Sequence, residues 1–515
     1  MMDRKFWLNI LIILLVSYLM TFTYLGHLPL LDPDEPVYAE TALEMLHNQD
    51  FISPRIYGDF WYDKPPMYYW LVAGAFKIFG AGEFAARVPS AVLAAAGSIL
   101  MYLSGRKLFN ECAGLIAALI LASSLEYFYL SKAAVTDMTL TFFLTGALLA
   151  FLHKKNYLFY SCAALAVVTK GPIGVFFCGA IVGLYLLLTR SLGQLRQLKL
   201  FSGGLLFTAL AAPWYLMMYH AHGMDFINTF LGFHNVTRFL QPEHPEGTLW
   251  YFYIPVLVIG FFPWTTFMLQ AFWIGRQAVG NERNQLLFLG LWASVVFLFF
   301  TMSQTKLVSY ILPMYPPLAL LVGWYFDKAW TEKRSSVLKW SAAIFAIVVL
   351  VLEVGLYFAR NELAAQPVLL AVMAAILLLL AVLVVWQSYR KSFAGVLAVH
   401  VAGMILFTTF LMGHLLPVMA PAFSSKETVR EFKQYYDGQA PVYVAKFYRP
   451  GFAFYSGIPG IEFNQQTLEK AVTEDGKAYF FIQKKYYDKL PEALQAKVHV
   501  LTTIEDKIIF VREVH

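Results

Sequence analysis

Acids and cations cluster at a few points of this 515-residue chain, in types that suit group transfer. Asp32, Asp34 and Glu35 stand together in LLDPDEPVYAE, and Asp63-Lys64 precedes Pro65-Pro66 in WYDKPPMYYW. Asp137 opens an apolar run, and Lys170-Gly-Pro closes another. His234 and Arg238 share HNVTRF, with Glu243 and His244 just beyond, while Lys306 and Tyr310 share KLVSY. A phosphate that departs in a transfer reaction develops negative charge, and placed cations stabilise it. Lys64, Arg238 and Lys306 supply the cations, and the Tyr310 hydroxyl can donate a hydrogen bond. The acceptor needs a carboxylate that orients or deprotonates it, supported by a second acid. Asp34 and Asp137 make that pair, with Glu35 beside the first. Together these residues suit transfer from a lipid-linked phosphate.

Each of them also has a plainer explanation. Asp34 and Glu35 suit the start of a helix PVYAETALEML, and Asp137 suits the start of another. Lys64 can be an interfacial lysine with its stem on apolar surface. Arg238 and Lys306 can mark loop edges, His234 can be an ordinary loop histidine, and Tyr310 can belong to an aromatic belt. The functional reading rests on their shared side of the membrane, so the elements that place them decide it.

Those elements are membrane spans. Hydrophobic residues make up 59% of the chain and charged residues 14%, with a mean hydropathy of +0.58. Soluble domains carry about 25% charged residues, so water is not the solvent for most of this chain. Runs long enough for a bilayer fall near 6–25, 88–105, 112–130, 136–152, 156–170, 172–189 and 200–219. They continue at 251–273, 285–302, 308–326, 337–358, 366–387 and 394–416. The first run follows Arg4-Lys5 and has no small-residue cleavage site, so it reads as an uncleaved span. The run 66–80 is short and interrupted by Lys77, which reads as an interfacial helix. An all-α polytopic protein of about thirteen spans results.

With the N-terminus inside, every inner loop holds at least two basic residues, from Arg4/Lys5 and Arg106/Lys107 to Arg390/Lys391. That is the positive-inside pattern, and it puts the loop 26–87 and the tail outside. All the candidate residues then lie on the outer side or in the first turn of a span, where charge is costly and marks function. The net charge of +6 is spread in short clusters between apolar runs, which excludes a nucleic-acid-binding face. Cys112, Cys162 and Cys178 lie in spans and make no disulfide framework or metal pair.

The chain divides into a membrane domain, 1–420, and a tail, 421–515, read as a small extracytoplasmic α/β domain. In the tail, Ser424 and Glu427 fit a capping box. PVYVAK, AYFFIQ and KIIFVREV read as strands.

The stretch DEPVYAE at 34–40, followed by DKPP at 63–66, resembles the protein O-mannosyltransferase superfamily, closest to its lipid A aminoarabinose-transferase branch. The likeness continues through RVPSA at 87–91, VTDMTLTFF at 135–143, TKGPIG at 169–174, HNVTRF at 234–239 and KLVSYILPMYPPLALL at 306–321. It implies a GT-C fold with juxtamembrane helices in the first outer loop. The implied catalytic aspartate is Asp34 and the second is Asp137; Lys64, Arg238 and Tyr310 become the phosphate contacts. Some members bind a metal, zinc or magnesium, at positions matching Asp63 and His234. The implied donor is a sugar on undecaprenyl or another polyprenyl phosphate, and the acceptor a lipid such as lipid A or a protein. The implied location is the bacterial inner membrane, with the site and the C-terminus periplasmic. Pro36-Val37 and Asp63 depart from the aminoarabinose pattern, which leaves sugar and acceptor open. A lipid-linked sugar flippase is the alternative from another class. Against it, the span interiors hold almost no charge apart from Glu353, and no internal repeat is evident.

Overall fold

The computed structural model describes residues 4–237, 240–241, 249–360 and 366–513. In chain order the helices begin with α1 (Arg4–Ser17), which runs into a π-helical turn (Tyr18–Phe22), and α2 (Asp34–Asn48). A small hairpin, β1 (Arg55–Ile56) with β2 (Asp59–Phe60), precedes α3 (Met67–Phe79) and α4 (Glu83–Leu108). Then come α5 (Glu111–Ser123), α6 (Leu125–Ser131), α7 (Asp137–Leu152), α8 (Asn156–Lys170), α9 (Ile173–Leu188) and α10 (Leu200–Ile227). The series continues with α11 (Tyr253–Gly260), α12 (Thr265–Gly275), α13 (Gly280–Met302), α14 (Tyr315–Thr331), α15 (Ser336–Ala359), α16 (Pro367–Tyr389) and α17 (Phe393–Phe410).

Every apolar run expected as a span falls on one of these helices or on a broken pair. Among the described residues seven helices are long and apolar enough to cross a bilayer, and two bent pairs bring the number to nine. The pairs are α5/α6, turned by 64°, and α11/α12, turned by 105°. The second turn sits at Phe262-Pro263, where proline cannot continue a helix ladder. Helices α7 and α9 are apolar but have 16 residues each, about 24 Å of rise against a hydrocarbon core of about 30 Å.

The chain forms two compact units that do not follow its order. One gathers residues 1–23, 62–68 and 88–411; the other gathers 24–61, 69–87 and 412–515. The second unit gathers the tail with most of the first outer loop.

In the first unit α14 lies along α5. A Cβ placed on Gly323 would come within 2.8 Å of the Ala117 side chain, so small residues set this close approach. Helices α7, α8 and α9 follow one another in short antiparallel steps, and α13 packs on α9.

In the second unit the tail adds α18 (Leu416–Phe423), α19 (Lys426–Tyr435), α20 (Arg449–Ser456) and α21 (Gln465–Thr473). Its strands are β3 (Val442–Ala445), β4 (Ile461–Phe463), β5 (Ala478–Gln483), β6 (His499–Ile504) and β7 (Lys507–Arg512), in the order β4-β3-β5-β7-β6. Strand β3 is parallel to β4 and β5, while β7 is antiparallel to β5 and β6. The apolar run of β5 is buried on both faces: Tyr479 and Phe481 meet Phe432 and Phe452, and Phe480 and Ile482 meet Leu468 and Val472. The sequence reading found β3, β5 and β7 and missed β4 and β6, whose residues are mostly exposed.

Two local expectations change. The 66–80 helix forms, but Tyr69, Val72, Ala73 and Phe76 are covered by protein, leaving Ile78 and Phe79 exposed at its end. The Ser424–Glu427 capping box is absent. Ser425 sits at the N-cap of α19, and its hydroxyl donates to Asp32 instead.

Candidate active site

In the first unit, short connections turn chain neighbours into facing side chains. Asp137 is the first residue of α7 and Lys170 the last of α8, so the antiparallel pair brings them to one end, where Lys170 Nζ lies 2.7 Å from Asp137 Oδ1. The acid at a helix N-terminus and the cation at a C-terminus also suit the two helix dipoles. Gly171, at φ +81°, and Pro172 then turn the chain into α9.

Asp63 and Lys64 enter on the irregular segment 62–66. Lys64 Nζ donates to Asp63 Oδ1 at 2.9 Å, and His234 Nδ1 lies 2.7 Å from the same oxygen. His234 rides on the π-helical turn Asn228–Thr237 that follows α10. Tyr310 rides on a 3-10 turn, Val308–Met314, and Lys170 Nζ sits 4.6 Å from its ring centre. These residues line a cavity of about 310 Å³ together with Ser303 and Thr305. Its other wall is apolar, formed by Ile173, Phe176, Phe230, Phe299 and Phe300.

A cavity with two lysines, a tyrosine and an aromatic wall suits a phosphate that carries a long apolar tail. Both lysines rest on carboxylates, which keeps these partly buried charges paired.

The structure thus brings together Asp63, Lys64, Asp137, His234 and Tyr310. Lys306 behaves differently: its buried ammonium donates to Ser303 O at 2.7 Å, fastening the loop whose Ser303 and Thr305 face the cavity. Arg238, Glu243 and His244 lie outside the described residues. Lys170, which the sequence reading noted as closing an apolar run before Gly-Pro but gave no role, joins the site residues at the cavity.

Asp34 belongs to the second unit, where it is the exposed first residue of α2. Its neighbour Glu35 is buried and forked by Arg87: Nε donates to Oε1 at 2.8 Å and Nη2 to Oε2 at 2.6 Å. The same guanidinium donates to Leu28 O and Pro29 O, each at 2.7 Å. Glu35, expected beside Asp34 as a catalytic acid, is thereby committed to holding the loop that leads into α2. Arg87, in the RVPSA motif, had been given no role.

The metal expectation can be weighed on Asp63 and His234. A carboxylate and an imidazole facing each other in a cavity are ligand types suited to zinc. Among the described residues no group of three or more His, Cys, Asp or Glu is placed to hold a metal ion, so those residues offer an ion here two ligands, Asp63 and His234.

Residues 63–217 match the family described as dolichyl-phosphate-mannose-protein mannosyltransferase. That stretch contains Asp63, Lys64, Asp137 and Lys170. An uncharacterized protein of Aquifex aeolicus (strain VF5) is 31% identical over 369 residues, 69% of this chain and 70% of its own length. The chain is a GT-C glycosyltransferase of the protein O-mannosyltransferase superfamily. Within the superfamily, the undecaprenyl phosphate-alpha-4-amino-4-deoxy-L-arabinose arabinosyl transferase of Pseudomonas aeruginosa (strain UCBPP-PA14) is 31% identical over 342 residues. That match covers 63% of this chain but only 60% of the relative. The crystal structure of ArnT from Cupriavidus metallidurans bound to undecaprenyl phosphate has the same fold. Its TM-score is 0.84 at 22% identity, covering 99% of this chain and 98% of that one. This GT-C enzyme is thus a polytopic, mostly helical membrane protein with a small sheet near its C-terminus.

Proposed function

We propose that this glycosyltransferase moves a sugar from a polyprenyl-phosphate carrier to an envelope acceptor at the outer face of a bacterial inner membrane. The observation that carries the reading is the cavity, in which Lys64, Lys170 and Tyr310 stand opposite the aromatic wall of α9 and α13. The named relatives support 4-amino-4-deoxy-L-arabinose, or a similar pentose or hexose, as the sugar; lipid A is the acceptor that the family resemblance implies.

In the reaction, an acceptor oxygen forms a bond to the anomeric carbon while the bond from that carbon to the carrier phosphate oxygen breaks. The electron pair stays on the phosphate, which leaves as polyprenyl phosphate. Lys64 and Lys170 stabilise the growing charge, because an ammonium that rests on one carboxylate oxygen keeps further N–H donors for a phosphate. Asp34 has the role of orienting a hydroxyl acceptor and taking its proton; an acceptor that is already an anion needs orientation alone. Asp137 holds Lys170 in place. A divalent ion on Asp63 and His234 would add positive charge beside the departing phosphate.

The test uses purified protein in nanodiscs with undecaprenyl-phosphate aminoarabinose and lipid A, read by mass spectrometry. Lipid A heavier by one aminoarabinose residue is expected. If only a peptide acceptor gains a sugar, the protein-modifying reading that the family name carries replaces this one. Sugar translocation without a covalent product defeats both.

A further inference from the structure

One buried carboxylate in the first unit lies outside the chemistry so far. Glu126, in the first turn of α6, is 3% exposed, and its Oε2 accepts a hydrogen bond from the hydroxyl of Tyr315, itself fully buried at the start of α14. Its Oε1 has no hydrogen-bond partner among the described residues. A buried carboxylate without a cation costs stability, and an unsatisfied oxygen adds to the cost. Packing alone would favour leucine here.

The pair sits where three elements of the site wall converge. Tyr315 follows directly on the 3-10 turn that carries Tyr310. Glu126 lies on α6, which leads through 132–136 into α7 and its Asp137. Across the pair, α11 closes with Gly260, where any Cβ would overlap the Tyr315 hydroxyl, and Leu125 N donates to Phe262 O at 3.0 Å.

We propose that the Glu126–Tyr315 hydrogen bond is a positioning device for donor binding. It fixes the junction of the 3-10 turn and α14 against α6, and so sets Tyr310 over Lys170 while Lys170 rests on Asp137. Glu126 and Tyr315 are positioning residues and touch no substrate. The inference rests on the reading of the cavity as the donor-phosphate site.

The test compares Tyr315→Phe, Glu126→Gln and the double variant Glu126→Leu/Tyr315→Phe with the wild type. Binding of undecaprenyl phosphate to full-length protein in nanodiscs and thermal unfolding are measured for each. Glu126→Gln keeps an acceptor for the tyrosine and is expected to bind as wild type does. Tyr315→Phe and the double variant should bind roughly ten- to a hundredfold more weakly, the range that misplacing a contact by about 1 Å produces. The double variant should melt no lower than wild type, since it removes a buried polar pair as a unit. A double variant with wild-type affinity overturns the inference, and so does one whose weaker binding comes with a lower melting temperature. Wild-type protein that fails to bind undecaprenyl phosphate overturns the donor reading and this inference with it.

Discussion

Asp34 and Glu35 are chain neighbours of the same charge, and the fold gives them opposite parts. Asp34 is exposed at the head of α2, while Glu35 is buried under the Arg87 fork. Exchange of either for its amide therefore has a different outcome. Asp34→Asn should leave undecaprenyl-phosphate binding unchanged and slow turnover at least about a hundredfold, the scale of a placed acid or base. Glu35→Gln should instead lower stability, by up to about 3–5 kcal/mol for a broken buried ion pair, with activity per folded molecule nearly kept. Steady-state rates beside thermal unfolding decide; the two variants behaving alike would refute the assignment. Lys64, with its side chain 15% exposed, carries a prediction of another kind. Lys64→Ala should weaken undecaprenyl-phosphate binding by about 2–5 kcal/mol while the protein still inserts and purifies as wild type does. Unchanged affinity by direct titration removes it from the site.

At the scale of elements, one aspartate joins three parts of the second unit. Asp32 accepts from Ser425 N at 2.7 Å, Ser425 Oγ at 2.5 Å and Gly451 N at 3.0 Å, which ties the loop before α2 to α19 and α20. A Cβ on Gly451 would overlap the carboxylate, so only glycine permits this contact. Burial pushes the Asp32 carboxyl from its ordinary 3.8 up to about 7, with the Ser425 and Gly451 donors and nearby Lys507 pulling it partly back. The folded state then holds this proton more tightly than the unfolded chain. Its contribution to stability is complete below about pH 4 and is lost as pH rises through 7, by at most about 1.4 kcal/mol per pH unit. Glu40, likewise raised to about 7 by burial and by Glu44, titrates in the same window, so a variant is needed to isolate Asp32. Unfolding temperature should fall from pH 5 to pH 8 in wild type and fall less steeply in Asp32→Asn. Parallel slopes would remove Asp32 as the source.

For the whole molecule, the matter to test is sidedness. Basic residues crowd the loops that the first span's orientation makes cytoplasmic. In a background with the exposed Cys112 changed to Ser, cysteine at Asp59 or Lys489, both exposed, should react with an impermeant thiol reagent on intact cells. Cysteine at the exposed Arg334 should react only after permeabilisation. The reverse pattern would turn the protein over and put the donor site on the cytoplasmic face.

The sequence by itself determined whatever depends on local composition. Apolar runs had to become helices, because backbone groups in a bilayer must be satisfied within the segment. The short β-rich apolar runs AYFFIQ and KIIFVR had to become strands. The acids and cations of the site were also legible by type, since charge at the edge of a span is too costly to be idle. Only the tertiary structure decided which partner each charge takes. Lys170 reads like a helix end until α7 and α8 run antiparallel and set it on Asp137. Lys306 reads like a phosphate ligand until its ammonium is seen on Ser303 O. Glu35 reads like Asp34 until Arg87, 52 residues on, closes over it. The Glu126–Tyr315 pair, 189 residues apart, left no mark in the sequence. The reason is physical: a residue's type fixes what it can bond, while its partner depends on how distant segments pack, and no local pattern encodes that distance.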